Sequence, residues 1–253
     1  MPFKDILQIK SYYTQQGAGL DVLCLVGWGQ DSQMFQPTAD FLADRFRVTV
    51  VDFPGFGQSE TMHEAWDLDA YVQWLDALLK TMDVDNPIII AHSFGARVAI
   101  KYQLTRPVHK LVLTGAAGIR PKRSLDTILR IYTYKTLKQV FRIPFLTQFQ
   151  EPLRKLFGSD DYKALSGVLR ASFVKIVNED LTPYLKHIEV PTLLIWGDQD
   201  DATPLWMAKK MEKEIKDAGL VIFENDGHYA YWNQLSRFHA IVRVFLKEDE
   251  KHA

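Results

Sequence analysis

A serine, a cluster of aspartates and a histidine each follow a separate apolar run in this 253-residue chain, at points where a strand gives way to a loop. The serine is Ser93, in Ile88-Ile89-Ile90-Ala91-His92-Ser93-Phe94-Gly95. Three consecutive isoleucines read as a buried strand and Ala96 to Leu104 reads as a helix, so the chain must turn from one to the other within about one residue of Ser93. Such a sharp turn lifts the hydroxyl clear of the sheet edge. It also aims the backbone N–H of Phe94 and the positive end of the new helix at the same point. A nucleophile and a place for developing negative charge thus come from one piece of backbone. The carboxylates are Asp198, Asp200 and Asp201, after the run Pro191 to Trp196, and the histidine is His228, after the run Leu220 to Phe223. Taken singly, each has an ordinary reading: Ser-x-Gly turns are common, Asp-rich loops are usually solvated, and a lone histidine is usually a surface or core residue. Their joint placement at strand ends, in the chain order nucleophile, acid, base, points to nucleophilic catalysis.

The elements that must position these groups follow from hydrophobic periodicity. Residues 5–15 read as one or two short edge strands, and Leu20 to Val26 as a strand covered on both faces, followed by the loop Gly27-Trp28-Gly29-Gln30. A helix is expected from Phe35 to Arg45 and a strand from Arg47 to Phe53. Asp67 is placed to cap a helix whose apolar residues Leu68, Tyr71, Val72, Leu75, Leu78 and Leu79 recur at helical spacing. After the elbow come strands at Lys110 to Thr114, Pro191 to Trp196 and Leu220 to Phe223, with helices at Leu205 to Lys216 and Trp232 to Leu246. Strands alternating with helices predict an α/β fold whose mostly parallel sheet is covered on both faces. Ligands of such a sheet bind beyond the carboxyl ends of its strands, where Ser93, the aspartates and His228 all fall.

From Ile119 to His187 the rhythm breaks. Only helical pieces are read there, Ser124 to Val140 and Asp160 to Val177, separated by Pro144, Pro152 and Gly158. This span is read as an inserted cap over the carboxyl edge of the sheet. It holds 13 Lys and Arg against 6 Asp and Glu, a balance of +7 that leaves −8 for the rest of the chain. The expectation is therefore a basic lid on an acidic body, suited to an anionic substrate or carrier, with Arg120, Lys122 and Arg123 best placed to attract it.

Composition excludes several classes. A net charge of −1 gives no global attraction to nucleic acid. One cysteine, Cys24, rules out an internal disulfide and suits a reducing compartment, and with no apolar leader or membrane-length apolar run the expected location is the cytoplasm. Cys24 falls mid-strand and reads as a small buried residue. His63, His109, His187, His239 and His252 lack metal-ligand spacing, so neither a metal nor an organic cofactor is expected. Nothing in the sequence sets the oligomeric state.

Gly27-Trp28-Gly29, Asp52-Phe53-Pro54-Gly55-Phe56-Gly57-Gln58-Ser59, Ala91-His92-Ser93-Phe94-Gly95, Gly197-x-x-Asp200-x-x-x-Pro204 and Gly227-His228 together resemble the α/β-hydrolase superfamily, across nearly the whole chain outside the cap. Ala91 stands where the usual elbow begins with glycine. Val26 stands where many relatives carry a histidine that braces the oxyanion loop. The resemblance implies a core of residues 1–118 and 188–253 with a helical cap at 119–187. It implies a catalytic triad of Ser93, His228 and Asp200, the last chosen over Asp198 and Asp201 by its spacing from Gly197 to Pro204. It also implies an oxyanion hole from the backbone N–H groups of Trp28 and Phe94. The activity implied is hydrolysis of a small-molecule carboxylic ester through an acyl-enzyme. Thioester or C–C bond hydrolysis by the same triad, and a non-catalytic ligand-binding member of the fold, are the alternatives.

Overall fold

The computed structural model describes residues 2–120, 167–247 and 249. Eight strands form one sheet in the order β1-β2-β4-β3-β5-β6-β7-β8: β1 (Phe3–Ile6), β2 (Ile9–Gln16), β3 (Asp21–Leu25), β4 (Arg47–Val51), β5 (Ile88–His92), β6 (Lys110–Thr114), β7 (Thr192–Gly197) and β8 (Ala218–Phe223). The β1–β2 and β2–β4 pairings are antiparallel and all the others are parallel. The parallel strands β3, β5, β6 and β7 are buried along almost their whole length, as continuous apolar runs require when helices cover both faces.

Seven helices are described: α1 (Gln36–Leu42), α2 (Leu68–Lys80), α3 (Phe94–Tyr102), α4 (Gly167–Asn178), α5 (Leu205–Glu214), α6 (Ala230–Asn233) and α7 (Leu235–Phe245). In α2 the residues Leu68, Tyr71, Trp74, Leu75, Leu78 and Leu79 are buried, one stripe at helical spacing, and the Asp67 carboxylate accepts from the Ala70 N–H at 3.0 Å. Each large apolar side chain buried in such a stripe contributes about 1.5–3 kcal/mol.

The single helix expected from Trp232 to Leu246 is instead broken at Gln234 into α6 and α7. The Asn233 and Gln234 side chains donate to the two oxygens of Asp226, at 2.8 and 2.9 Å, and the break lets them face the loop that carries His228. The helix expected from Phe35 to Arg45 is shorter. It ends at Leu42, residues 43–45 forming a turn, and a 3-10 turn, Ser32–Met34, capped by Asp31, precedes it.

Between β6 and β7 the described residues form no strand. Here α4 and the 3-10 turn Thr182–His187 return the chain to the sheet. The expected helix at Ser124 to Val140, the first part of the one at Asp160 to Val177, and Pro144, Pro152 and Gly158 lie outside the described residues. Four contacts tie α4 and the residue that follows it to the sheet side of the molecule. The Trp66 N–H donates to Ser172 Oγ (2.9 Å), Lys175 Nζ to the Ala65 carbonyl (2.6 Å), and the buried Arg97 guanidinium to the carbonyls of Ile176 and Glu179.

The chain leaves β3 for β4 on one side and returns to β5 on the other. That reversal opens a crevice at the carboxyl ends of β3 and β5, the place where open α/β sheets bind ligands.

Candidate active site

Ser93 joins β5 directly to α3 with φ 49° and ψ −106°, a strained conformation for a residue with a Cβ. Two backbone bonds hold it there, Ser93 N–H to the Thr114 carbonyl (3.1 Å) and Ala117 N–H to the Ser93 carbonyl (3.2 Å). The turn also presses α3 against the end of β3. A Cβ on Gly95 would collide with the Leu25 and Val26 carbonyls, so only glycine fits there.

His228 Nε2 lies 3.0 Å from Ser93 Oγ, and its Nδ1 lies 2.8 Å from Asp200 Oδ2. With a carboxylate at Nδ1, that nitrogen carries the proton and Nε2 is left as an acceptor facing the serine hydroxyl. Burial acts to raise the Asp200 pKa. The bonds from His228 and Thr203 outweigh it and hold the carboxyl below its ordinary value, so the group stays ionised. Asp198 and Asp201 are exposed at the same loop, and Asp198 accepts only a long bond from the Asp226 N–H (3.4 Å).

The loop after β3 faces the elbow. The ring of Trp28 packs edge-on against that of Phe94, with centroids 5.1 Å apart. Phe94 is the first residue of α3, so its N–H has no acceptor within the helix.

The sequence pattern of the Alpha/beta hydrolase family matches residues 22–244, which is most of the chain. The chain belongs to that family. It is 29% identical over 248 residues to the AB hydrolase superfamily protein YisY of Bacillus subtilis, covering 90% of this chain and 92% of the relative. It is 24% identical to the 2-hydroxy-6-oxo-6-phenylhexa-2,4-dienoate hydrolase of Comamonas testosteroni, covering 97% and 94%. Among solved structures it superposes on an esterase from Exiguobacterium antarcticum with a TM-score of 0.75 at 24% identity, covering 97% and 98% of the two chains.

In this α/β-hydrolase the loop after β3 is braced by a residue to which the sequence reading gave no role. Gln30 Oε1 accepts from the Gly27 N–H at 2.7 Å, from within the loop, beside the buried Val26. Asp52, buried completely, accepts from the N–H of Ser32 (2.6 Å) and of Gln58 (2.8 Å), and so ties the segment after the Gly27–Gln30 loop to the 52–59 loop. Burial pushes the Asp52 pKa up in spite of those bonds.

Two further polar residues at the site had no assigned role. His92, one residue before Ser93, is buried with Nδ1 bonded to the Thr114 carbonyl (3.0 Å), and its ring packs 4.7 Å from that of His228. Burial lowers its pKa to about 3, with His228 adding to the effect, so it is neutral at ordinary pH. Thr203, in the loop that carries Asp200, meets both Asp200 and His228 directly. Cys24 is a free, buried thiol whose pKa burial pushes up. Among the described residues no group of three or more His, Cys, Asp or Glu could hold a metal ion, and no helix is long and apolar enough to cross a membrane.

Proposed function

We propose that this hydrolase cleaves a carboxylic ester through an acyl-enzyme. The observation that carries the reading is the unbroken bond sequence from Ser93 Oγ to His228 to Asp200, at 3.0 and 2.8 Å, set on a strained elbow. His228 Nε2 takes the Ser93 proton as Oγ bonds to the carbonyl carbon. The electron pair of the carbonyl moves onto its oxygen, where the N–H groups of Trp28 and Phe94 hold the negative charge. Collapse expels the alcohol, which leaves with the proton from His228. Water then repeats the sequence with His228 as base, releasing the acid and restoring Ser93. Asp200 keeps the imidazole in the tautomer this requires. Residues 119–187 are proposed as the cap over this edge, with 1–118 and 188–253 as the core, and the four contacts of α4 and the residue that follows it support that division.

C–C bond hydrolysis is the second reading, favoured by the relative from Comamonas testosteroni. The substrate in that relative's name is a carboxylate. The rings of Phe56, Tyr71, Phe94 and Phe173 pack on Trp28 beside the elbow. An apolar acyl group suits such a cluster of rings, which supports the ester.

The test is labelling by a fluorophosphonate probe, followed by rates on p-nitrophenyl esters of rising acyl length, a thioester and a dienoate ketone. Labelling that Ser93→Ala abolishes, with ester turnover above the other two, is the expected outcome. A wild-type protein that neither labels nor turns over any ester would make this a ligand-binding member of the fold.

A further inference from the structure

Thr203 lies three residues after Asp200, almost wholly buried, where its side chain meets both the acid and the base. Its backbone N–H donates to Asp200 Oδ1 (2.7 Å), and its hydroxyl oxygen lies 2.7 Å from Asp200 Oδ2, 3.1 Å from the Gly115 carbonyl and 3.3 Å from His228 Nδ1. The Trp196 indole N–H donates to the Thr203 carbonyl and fixes the backbone beneath it.

One hydroxyl has one proton, and its neighbours compete for it. Nδ1 of His228 already carries a proton, so towards Nδ1 the threonine oxygen can only accept. Of the two acceptors, the carboxylate is both the nearer and the charged one, and charge-assisted bonds are the stronger. The proton therefore points at Asp200 Oδ2, the same oxygen that receives the His228 N–H.

We propose that Thr203 is a positioning residue of the triad, whose hydroxyl bond to Asp200 Oδ2 sets how strongly that oxygen holds the His228 imidazole. The proposal rests on the triad reading given above. By sharing Oδ2, the hydroxyl draws charge away from the His228 bond and, with the Thr203 N–H on Oδ1, holds the carboxylate in place. Gly115 completes the arrangement from β6. It has φ 50°, and an added Cβ would lie 3.1 Å from His228 Nδ1, so the chain there can offer its carbonyl but no side chain.

The consequence is a defined pH effect. Without the hydroxyl, Oδ2 becomes a stronger acceptor, the imidazolium of His228 is better stabilised, and neutral His228 exists only at higher pH. Among the described residues, the other titratable groups facing His228 are His92 on β5, which stays neutral, and Tyr229 beside it. Asp226, in the same loop, is held by Gly227, Asn233 and Gln234, and Asp198 is exposed. Apart from Ser93, the hydroxyl of Thr203 is therefore the neutral donor whose removal the pair would register.

The experiment compares wild type, Thr203→Val, Thr203→Ser and Ser93→Ala in the pH profile of kcat/KM on a p-nitrophenyl ester, with thermal melting as the control for folding. Thr203→Val is expected to move the acid limb upward by roughly half a pH unit or more and to lower kcat several-fold with little change in KM, while Thr203→Ser restores the wild-type limb. If Thr203→Val does not fold, Thr203→Cys, of similar size but with only a weak S–H donor, carries the same expectation. An unmoved limb in the folded variant, or a limb in Thr203→Ser displaced as far as in Thr203→Val, would overturn the proposal. A Ser93→Ala protein that kept its activity would instead overturn the triad reading beneath it.

Discussion

Replacing one carboxylate oxygen of Asp200 by an amide nitrogen is expected to cost far more than the same change at Asp198 or Asp201. Asn at position 200 would present N–H to His228 Nδ1 and favour the wrong imidazole tautomer, an effect of about 10⁴ in kcat in a serine triad. Asp198→Asn and Asp201→Asn touch only exposed carboxylates and should leave kcat near the wild-type value. Steady-state kinetics on one ester decides the matter, and a comparable loss at position 198 would transfer the role there. His92 makes a second expectation at this scale, concerning stability. Its folded pKa of about 3 lies below the ordinary 6.5, so as pH falls the unfolded chain takes up a proton that the folded chain refuses. Stability from this group is therefore complete above pH 6.5 and is lost towards pH 3, by about 2 kcal/mol between pH 6.5 and 5. Urea unfolding at pH 7 and pH 5 should show that loss in wild type and a loss smaller by about that amount in His92→Gln. Equal losses in the two proteins would assign the acid sensitivity to another group. That Ser93, Asp200 and His228 meet at one sheet edge could be read from the sequence because each follows a strand whose apolar run is plain. Thr203, Gln30 and His92 could not, because their roles come from hydrogen bonds and packing that no spacing in the chain encodes.

The elbow depends on how closely one helix approaches one strand. Because the Cβ of an alanine at position 95 would meet the Leu25 and Val26 carbonyls, Gly95→Ala must push α3 off β3. Overpacking against backbone that cannot yield is expected to cost about 2 kcal/mol or more and to displace Ser93 from His228. Thermal melting and probe labelling should fall together in this variant, and a protein with wild-type melting and labelling would show that the packing has slack. Elements followed from sequence where burial alone shaped them. The strand at Lys110 to Thr114 matches β6, and α2 carries the apolar stripe and Asp67 cap expected of it. They departed from it where distant side chains intervene. The break at Gln234 exists because Asp226 draws Asn233 and Gln234 towards it, and the apolar pattern runs through that point without interruption. The early helix starts where Pro37 allows its first turn and stops at Leu42, where the Arg45 and Phe46 N–H groups both turn back to the Leu42 carbonyl.

Charge is divided across the whole molecule in a way that neither a residue nor an element accounts for. The span 119–187 carries +7 and the rest of the chain −8, although the sum is only −1. Two of the acids in that span are engaged at its return to the sheet. Glu179 pairs with Lys101 (2.6 Å), and Asp180 accepts from Thr182 (2.7 and 3.0 Å) and from the Arg120 N–H (3.3 Å). The Arg120 side chain is exposed at the start of the span, while Lys122 and Arg123 lie outside the described residues. Solvated helix faces would account for part of this excess. A basic cap above an anionic body would in addition draw an anionic ester towards Ser93, through a field screened beyond about 10 Å at 0.1 M salt. The expectation is that kcat/KM for an anionic ester falls as salt is raised from about 10 mM to 0.5 M, whereas that for a neutral ester of equal acyl length changes little. Arg120→Ala combined with Arg123→Ala should lower the anionic rate at low salt and flatten its salt dependence, with the neutral ester unaffected. Because screening acts on the encounter and leaves the bonds of the triad alone, the effect should appear in kcat/KM and leave kcat unchanged. Equal salt responses for the two esters, or a double variant that treats them alike, would reduce the basic cap to a solvated surface.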